Sequence, residues 1–387
     1  MSPRHRLPRR APGSSPAVVF VEDEGWASFY QLAASIRRLA VRVVRISLAR
    51  PGSAIARVPV VYDWTPHVTS PEELDRLPSL LRGERVVDAQ CAESLAARVY
   101  PVVADLVDDA KGHRLRRRAA SVDKRFVGET LADAGVCVPA TIACAGATAA
   151  DVVDTLGLPA VLKPAVGSGG QRVLVVRTRA ELDCALAAVE RPEEMFIERF
   201  VHGRPYQMGV LANAGTVQLG AACETLERGN ATGPATRIVT VEDEQLFAVA
   251  RDVVAALGLD GLSNMNVIRD DAGRVWVHDV NPRVWGSFAV YAAAGTDFVR
   301  AYVDSLAGTH SGGPSRWAAG GVHARVPPAD FTLALGAPGR VDVAVAAARA
   351  LRAYGERFGW RYVAFLAVNN LGPAAGALLG RPPTPRT

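Results

Sequence analysis

The chain has 387 residues, nearly half of them hydrophobic, and a formal net charge of only +5. It exceeds the size at which one core stops growing, so two or three subdomains are expected, and no apolar run approaches the roughly 20 residues of a membrane span. Five cysteines (Cys91, Cys137, Cys144, Cys184, Cys223) without C-x-x-C spacing read as reduced thiols of a cytoplasmic protein and give no support to a zinc site or a thiol nucleophile.

Residues 1–15, with Arg4, Arg6, Arg9 and Arg10, have no packing pattern and read as a solvated basic tail, the sole feature favouring nucleic acid. The apolar run at 17–21 is too short for a signal sequence and is cut by Glu22 and Asp23. It reads as a buried strand. A helix at 25–39 follows, with Phe29, Leu32, Ile36 and Leu39 at helical spacing, then a strand at 41–46, and this order implies a parallel sheet. The turn Glu22-Asp23-Glu24-Gly25-Trp26 is acidic and would repel a pyrophosphate. Further strands are expected at 58–62 and 85–89, with a capped helix starting at Ser70-Pro71-Glu72-Glu73. Residues 16–115 thus form a small open parallel α/β unit.

His113–Arg118 reads as a linker or an exposed helix start, and Asp123-Lys124 opens a helix that stops at Gly135. Thr148 with Asp151, and Thr178 with Glu181, begin two more helices. Strands at 195–200, 206–211 and 217–223, a helix at 240–257, and a hairpin of 267–269 with 274–280 give this region an antiparallel-rich α+β character. A helix at 298–306, another at 342–358 and an apolar stretch at 360–368 precede a proline-rich tail.

Two stretches carry chemistry. In LPAVLKPAVGSGGQRVLVV (158–176), Lys163 stands at the stem of a turn made by Gly167, Ser168, Gly169 and Gly170 between two apolar runs. Such a turn lets backbone N–H groups converge on phosphate oxygens while the lysine adds a point charge, although a plain hairpin fits this stretch alone. It is neither a Walker A loop nor a dinucleotide fingerprint. In RVWVHDVNPRVWGS (274–287), strict strand alternation puts Val275, Val277, Asp279 and Asn281 on one face and Trp276, His278 and Val280 on the other. Asp279 and Asn281 then present adjacent oxygens suited to Mg²⁺, which takes few protein ligands, and Arg283 lies within reach of a phosphate. His278 reads as structural.

Lys124, Lys163 with its glycine turn, Glu198–Val201 and Asp279-Val280-Asn281-Pro282-Arg283 occur in an order and spacing that resembles the ATP-grasp superfamily, over about 123–306. The chain is most similar to stand-alone carboxylate–amine ligases related to the ATP-binding half of carbamoyl-phosphate synthetase. The resemblance implies an ATP-grasp fold behind an amino-terminal pre-ATP-grasp domain: a tail (1–15), that domain (16–115), a nucleotide-binding and catalytic region (116–310) with a lid subdomain at 140–205, and a carboxy-terminal extension (311–387). It implies ATP as cosubstrate, Mg²⁺ with Mn²⁺ able to stand in, a small carboxylate and an amine as substrates, and a dimer as a common state. Activation of bicarbonate or an enolate, or a non-catalytic nucleotide-binding regulator, are the alternatives.

By the same resemblance, Lys124 contacts the α-phosphate, Lys163 the α- and β-phosphates, and Gly167, Ser168, Gly169 and Gly170 close over the β- and γ-phosphates. Glu198, Arg199, Phe200 and Val201 form the adenine hinge. Asp279, Asn281 and Asn266 hold metal, with Asn264 the alternative to Asn266, and Arg283 and Arg237 face the transferring phosphate. Two departures stand out. Pro205 replaces the acid that usually holds ribose, leaving Gln207 as a candidate, and Asp279 is the single strong metal carboxylate. Glu224, Trp285 and Ser287 are candidates for substrate contact.

Overall fold

A computed structural model describes residues 15–22, 27–48, 62–228, 232–308 and 315–326, with Gly13 and Arg352 as isolated positions. The acidic turn at 23–26, all but the last residue of the strand expected at 58–62, the helix expected at 342–358 and the apolar stretch at 360–368 lie outside the described residues, apart from Arg352.

The amino-terminal unit is a parallel sheet. Strand β1 (Pro16–Glu22), helix α1 (Ala27–Arg38), β2 (Arg42–Ser47) and β3 (Arg85–Cys91) give the strand order β2-β1-β3. Its strands are almost continuously buried because both faces are covered, and the polar side chains they carry, such as Arg45 and Asp88, are buried with them. Val18, Phe20 and Val43 pack with Phe29, Leu32 and Ile36 of α1, whereas Val19, Val21 and Ala89 pack with Leu95 and Val99 on the opposite side. After a 3-10 turn (Pro71–Arg76) come α2 (Leu77–Leu80), α3 (Glu93–Ala104) and α4 (Asp109–Ala120). Ser70 makes no side-chain cap, and Glu73 Oε2 accepts the Thr69 N–H at 2.7 Å, one residue before the expected cap, so the expected box does not form.

The basic run 113–118 is neither a linker nor an exposed helix start. It lies inside α4, which passes through the expected boundary at 115/116. Arg118 is buried, donates to Asp88 Oδ1 at 3.0 Å and to the Asp260 carbonyl at 2.7 Å, and lies over the Tyr100 ring.

Helix α5 (Lys124–Asp133), β4 (Thr141–Ala143), α6 (Ala149–Leu156), β5 (Ala160–Pro164), β6 (Leu174–Val176), α7 (Arg179–Ala188) and β7 (Met195–Arg199) follow, with the strands in the antiparallel order β4-β7-β5-β6. Both expected caps form: Thr148 and Asp151 bond reciprocally, and Thr178 Oγ1 accepts the Glu181 N–H. A larger sheet contains β8 (Arg204–Asn213), β9 (Thr216–Arg228), β10 (Ala235–Val241), β11 (Gly261–Arg269), β12 (Val275–Asn281), β13 (Arg316–Trp317) and β14 (His323–Arg325), with α8 (Glu244–Leu257) and α9 (Phe298–Leu306) as its helices. Its order is β12-β11-β8-β9-β10-β14, with β13 alongside β9. The helix expected at 240–257 begins four residues later. Asp243 caps it through the Leu246 N–H, while Thr240 and Val241 belong to β10.

Two cores hold this sheet. Met208, Val210, Met265 and Val267 pack against α5 and α8, and Leu211, Ala221, Ile238 and Leu262 share a core with α1 and α9. The larger sheet is therefore fused to the amino-terminal unit through buried apolar surface.

Candidate active site

A cleft of about 550 Å³ runs between the two antiparallel sheets, within the range of small-molecule sites. It brings together Lys124, Lys163, Gly167, Ser168, Gly169, Gly170, Glu198, Arg199, Phe200, Val201, Asn266, Asp279, Asn281 and Arg283. Residues far apart in sequence converge because β5 and β7 form one wall and β8, β11 and β12 the other.

Lys163, near the end of β5, is buried. Its Nζ lies 2.8 Å from Glu198 Oε2 on β7, donates to the His278 carbonyl at 2.9 Å, and stands over the Phe196 ring. Burial raises the Glu198 carboxyl above the ordinary glutamate range, outweighing the pull of Lys163. Lys124 opens α5 after its cap, Asp123. Its Nζ donates to the Gly167 carbonyl at 2.6 Å and lies 3.4 Å from Asp279 Oδ1, so one ammonium ties the glycine turn to the opposite wall. Gly170 (φ +74°) permits a close approach: a β-carbon there would lie 2.1 Å from the Thr232 carbonyl oxygen.

Strict alternation fails on β12. Asn266 pairs with Asp279 but Val267 pairs with Val277, so His278 is an extra residue in the strand. This bulge keeps Val275, Val277 and Val280 together in the core beneath the sheet and turns Asp279 and Asn281 to the cleft. The expected grouping of Val275 and Val277 with Asp279 and Asn281 is thus corrected, and His278 also lines the cleft, beside Asp279. Burial, reinforced by Lys163, pushes the His278 imidazole down to about 3, so it is neutral at ordinary pH. Burial works against the Asp279 carboxylate, but Lys124 and its other neighbours more than offset this and hold it at about 2.

The Asp279 end suits a hard divalent ion. Asp279 Oδ2 accepts from Asn281 Nδ2 at 2.7 Å and Asn266 Nδ2 at 3.0 Å. Asp279 Oδ1 and Asn264 Oδ1 are buried yet accept no hydrogen bond. One carboxylate with neighbouring amide oxygens and two unsatisfied acceptors is chemistry that fits Mg²⁺. Asn264 lies opposite Asn281 and Asn266 opposite Asp279, so both candidate asparagines face this end.

The arginines divide differently from expectation. Arg283 lines the cleft, but its guanidinium is anchored by Glu93 of α3 (Nε to Oε1, 2.6 Å) and by the Val284 carbonyl at 2.8 Å. Glu93 carries no signal in the sequence, because it precedes Arg283 by 190 positions. Arg237 is half-exposed, pairs with Glu227 at 3.1 Å, and is not part of the cleft lining. Arg228 is there instead. Ile238 pairs with Thr225 and Arg237 with Glu227, which leaves Leu226 as an extra residue and reverses the facing of the residues after it. Burial lowers the Arg228 guanidinium, whose Nη1 donates to the Gly233 carbonyl at 3.0 Å.

Phe200, Val201, Val161, Val175, Pro205 and Ile268 make the other end an apolar slot. Gln207 also lines the cleft, two residues along β8 from Pro205, and accepts from Ser287 Oγ at 3.5 Å; Trp285 and Ser287 line the cleft as well. Glu224 is not among the lining residues.

Residues 121–287 match the ATP-grasp domain family. D-alanine–D-alanine ligase of Treponema pallidum is 30% identical over 146 residues, covering 34% of this chain and 37% of the relative, so the chain spans little more than a third of that protein. Among solved structures, N5-carboxyaminoimidazole synthetase from Staphylococcus aureus complexed with ADP superposes with a TM-score of 0.63 at 14% identity, covering 80% of this chain and 81% of that one. An L-amino acid ligase from Bacillus licheniformis gives 0.60 at 15% identity, with 78% and 77% covered. Those identities establish fold alone. No helix among the described residues is long and apolar enough to cross a membrane. Over 121–287, under half of the chain, the protein is similar to ATP-grasp domains in sequence as well as in fold.

Proposed function

We propose that the protein is an ADP-forming ligase that activates a small-molecule carboxylate as an acyl phosphate and joins it to an amine. The observation that carries this reading is the meeting of Lys124, Lys163, the glycine turn, Asp279 and Asn281 around one cleft with an apolar slot at its far end. Adenine would occupy the slot beside 198–201, and the two lysines would neutralise phosphate oxygens. The backbone N–H groups of Gly167, Ser168, Gly169 and Gly170 would cover the phosphates and keep water from the acyl phosphate. Asp279 and Asn281, with Asn266 or Asn264, would hold Mg²⁺, which when bound screens charge on the phosphates. Arg283, held rigid by Glu93, would steady the transferring group as the carboxylate oxygen attacks in line, and the amine would then displace phosphate.

A carbon–nitrogen product is favoured by two of the relatives, since D-alanine–D-alanine ligase and the L-amino acid ligase both carry that chemistry in their names. The test is product analysis over a panel of amino acids and organic acids. ADP and phosphate should appear when a suitable acid and amine are both present. AMP with pyrophosphate, or no nucleotide turnover across the panel, would overturn the reading.

A further inference from the structure

Two carboxylates line the cleft, Glu198 and Asp279. Glu198 is engaged by Lys163 at 2.8 Å, and Asp279 offers one oxygen that accepts no hydrogen bond, with Lys124 3.4 Å from it. The other oxygen donors at that end, Asn264, Asn266 and Asn281, are neutral amides. Among the described residues no group of three His, Cys, Asp or Glu is placed to hold a metal. Two divalent ions about 3.5–4 Å apart repel strongly and need anionic ligands around both. The phosphates of a bound nucleotide would ligate either ion, but from the described lining residues one carboxylate and three amides suit one ion better than two.

The cleft is rich in fixed cations instead. Lys124 is matched by Asp279, Lys163 by Glu198 and Arg283 by Glu93. Arg228 has no such match: it is part-buried, its guanidinium donates to a neutral carbonyl, and it pairs with no carboxylate among the described residues. It enters from β9, three strands along from β12 in the larger sheet, and so reaches the cleft from a different strand than Asp279. A part-buried cation that lines a ligand cleft and has no acid partner suits an anionic ligand.

We infer that this cleft takes a single divalent cation, on Asp279 and Asn281, and that Arg228 supplies from β9 the positive charge a second ion would bring. The inference rests on the nucleotide reading above and adds the number of ions and the residue that replaces one. The test uses the full chain with AMP-PNP, a non-hydrolysable ATP analogue, and counts Mn²⁺ by electron paramagnetic resonance. One Mn²⁺ per bound nucleotide is expected, and two of comparable affinity would overturn the inference. Calorimetry should show Arg228→Gln weakening AMP-PNP tenfold or more with adenosine binding unchanged, and Arg228→Lys recovering most of the loss. Equal AMP-PNP affinity in Arg228→Gln and wild type would refute the role of Arg228. Wild type that binds neither adenosine nor AMP-PNP would refute the nucleotide reading itself, and this inference with it.

Discussion

Replacing Lys163 by methionine keeps most of the side-chain volume and removes the charge that faces Glu198 at 2.8 Å. Both side chains are at most 10% exposed, so the carboxylate is left in a site water barely reaches. Breaking a buried pair from one side costs roughly 3–5 kcal/mol if the remaining charge stays ionised. Glu198 has another way out, which is to take up a proton. From an ordinary glutamate value near 4.3, that costs about 3.7 kcal/mol at pH 7 and about 1 kcal/mol at pH 5. Burial already raises Glu198 in the presence of Lys163, and without the lysine the rise is larger. The unfolded chain releases this proton above about pH 4.3 while the folded variant retains it, so stability is present below that value and is lost as pH rises.

Urea unfolding of Lys163→Met should therefore show a penalty of about 3–4 kcal/mol at pH 7 that shrinks by about 2–3 kcal/mol at pH 5. Adding Glu198→Gln should restore most of the stability at pH 7, because the carboxamide has no charge to strand. It should not restore ATP affinity, since the ammonium proposed to face the phosphates is still missing. A penalty equal at the two pH values, or one that persists in the double variant, would refute this account of the pair.

His278, pushed down to about 3 by burial and then by Lys163, resists protonation in the folded state. Wild type should lose stability as pH falls below about 6.5, by roughly 1–2 kcal/mol at pH 5 after allowance for partial solvent access, and His278→Gln should lack that part of the slope. Identical pH slopes in the two proteins would refute it. Arg237→Gln, which removes a half-exposed pair outside the cleft lining, should leave nucleotide affinity within about twofold of wild type by calorimetry. Glu93→Gln should lower kcat about tenfold or more with ATP affinity little changed, because it loosens Arg283 and leaves the lysines in place. A change confined to nucleotide affinity would count against a positioning role for Glu93.

What the sequence revealed was local. The caps at Thr148 and Thr178 join groups three residues apart, and the opening parallel sheet follows from apolar runs that need no knowledge of their partners. Extrapolation failed where a distant strand set the register. Period-two reading breaks at His278 and at Leu226, since a bulge is fixed by the strand alongside, and these two shifts turn Asp279, Asn281 and Arg228 into the cleft. The same limit explains Arg118: a basic run looks solvated until Asp88, thirty residues upstream, is placed against it.

The amino-terminal sheet is also part of the site. The chain leaving β12 is held at three points by residues from β3 and α3. Val284 donates its N–H to Gln90 Oε1 at 2.9 Å, Arg283 is anchored on Glu93, and the Tyr100 hydroxyl donates to the Pro282 carbonyl at 3.5 Å. These contacts come from the carboxyl end of a parallel strand and the helix after it, the edge where open α/β sheets place their ligand-facing groups. Lys124, Lys163 and Asp279 bond among their own sheets and α5, so the proposed nucleotide end is built within the region that matches the ATP-grasp family. Arg283 is different: its guanidinium is anchored by Glu93 of the amino-terminal unit as well as by the Val284 carbonyl, so its position depends on the junction between that unit and the larger sheet. The bond between Asp88 and the Tyr302 hydroxyl at 2.5 Å, together with Arg118 on the same carboxylate, makes that junction a buried polar lock rather than a loose contact.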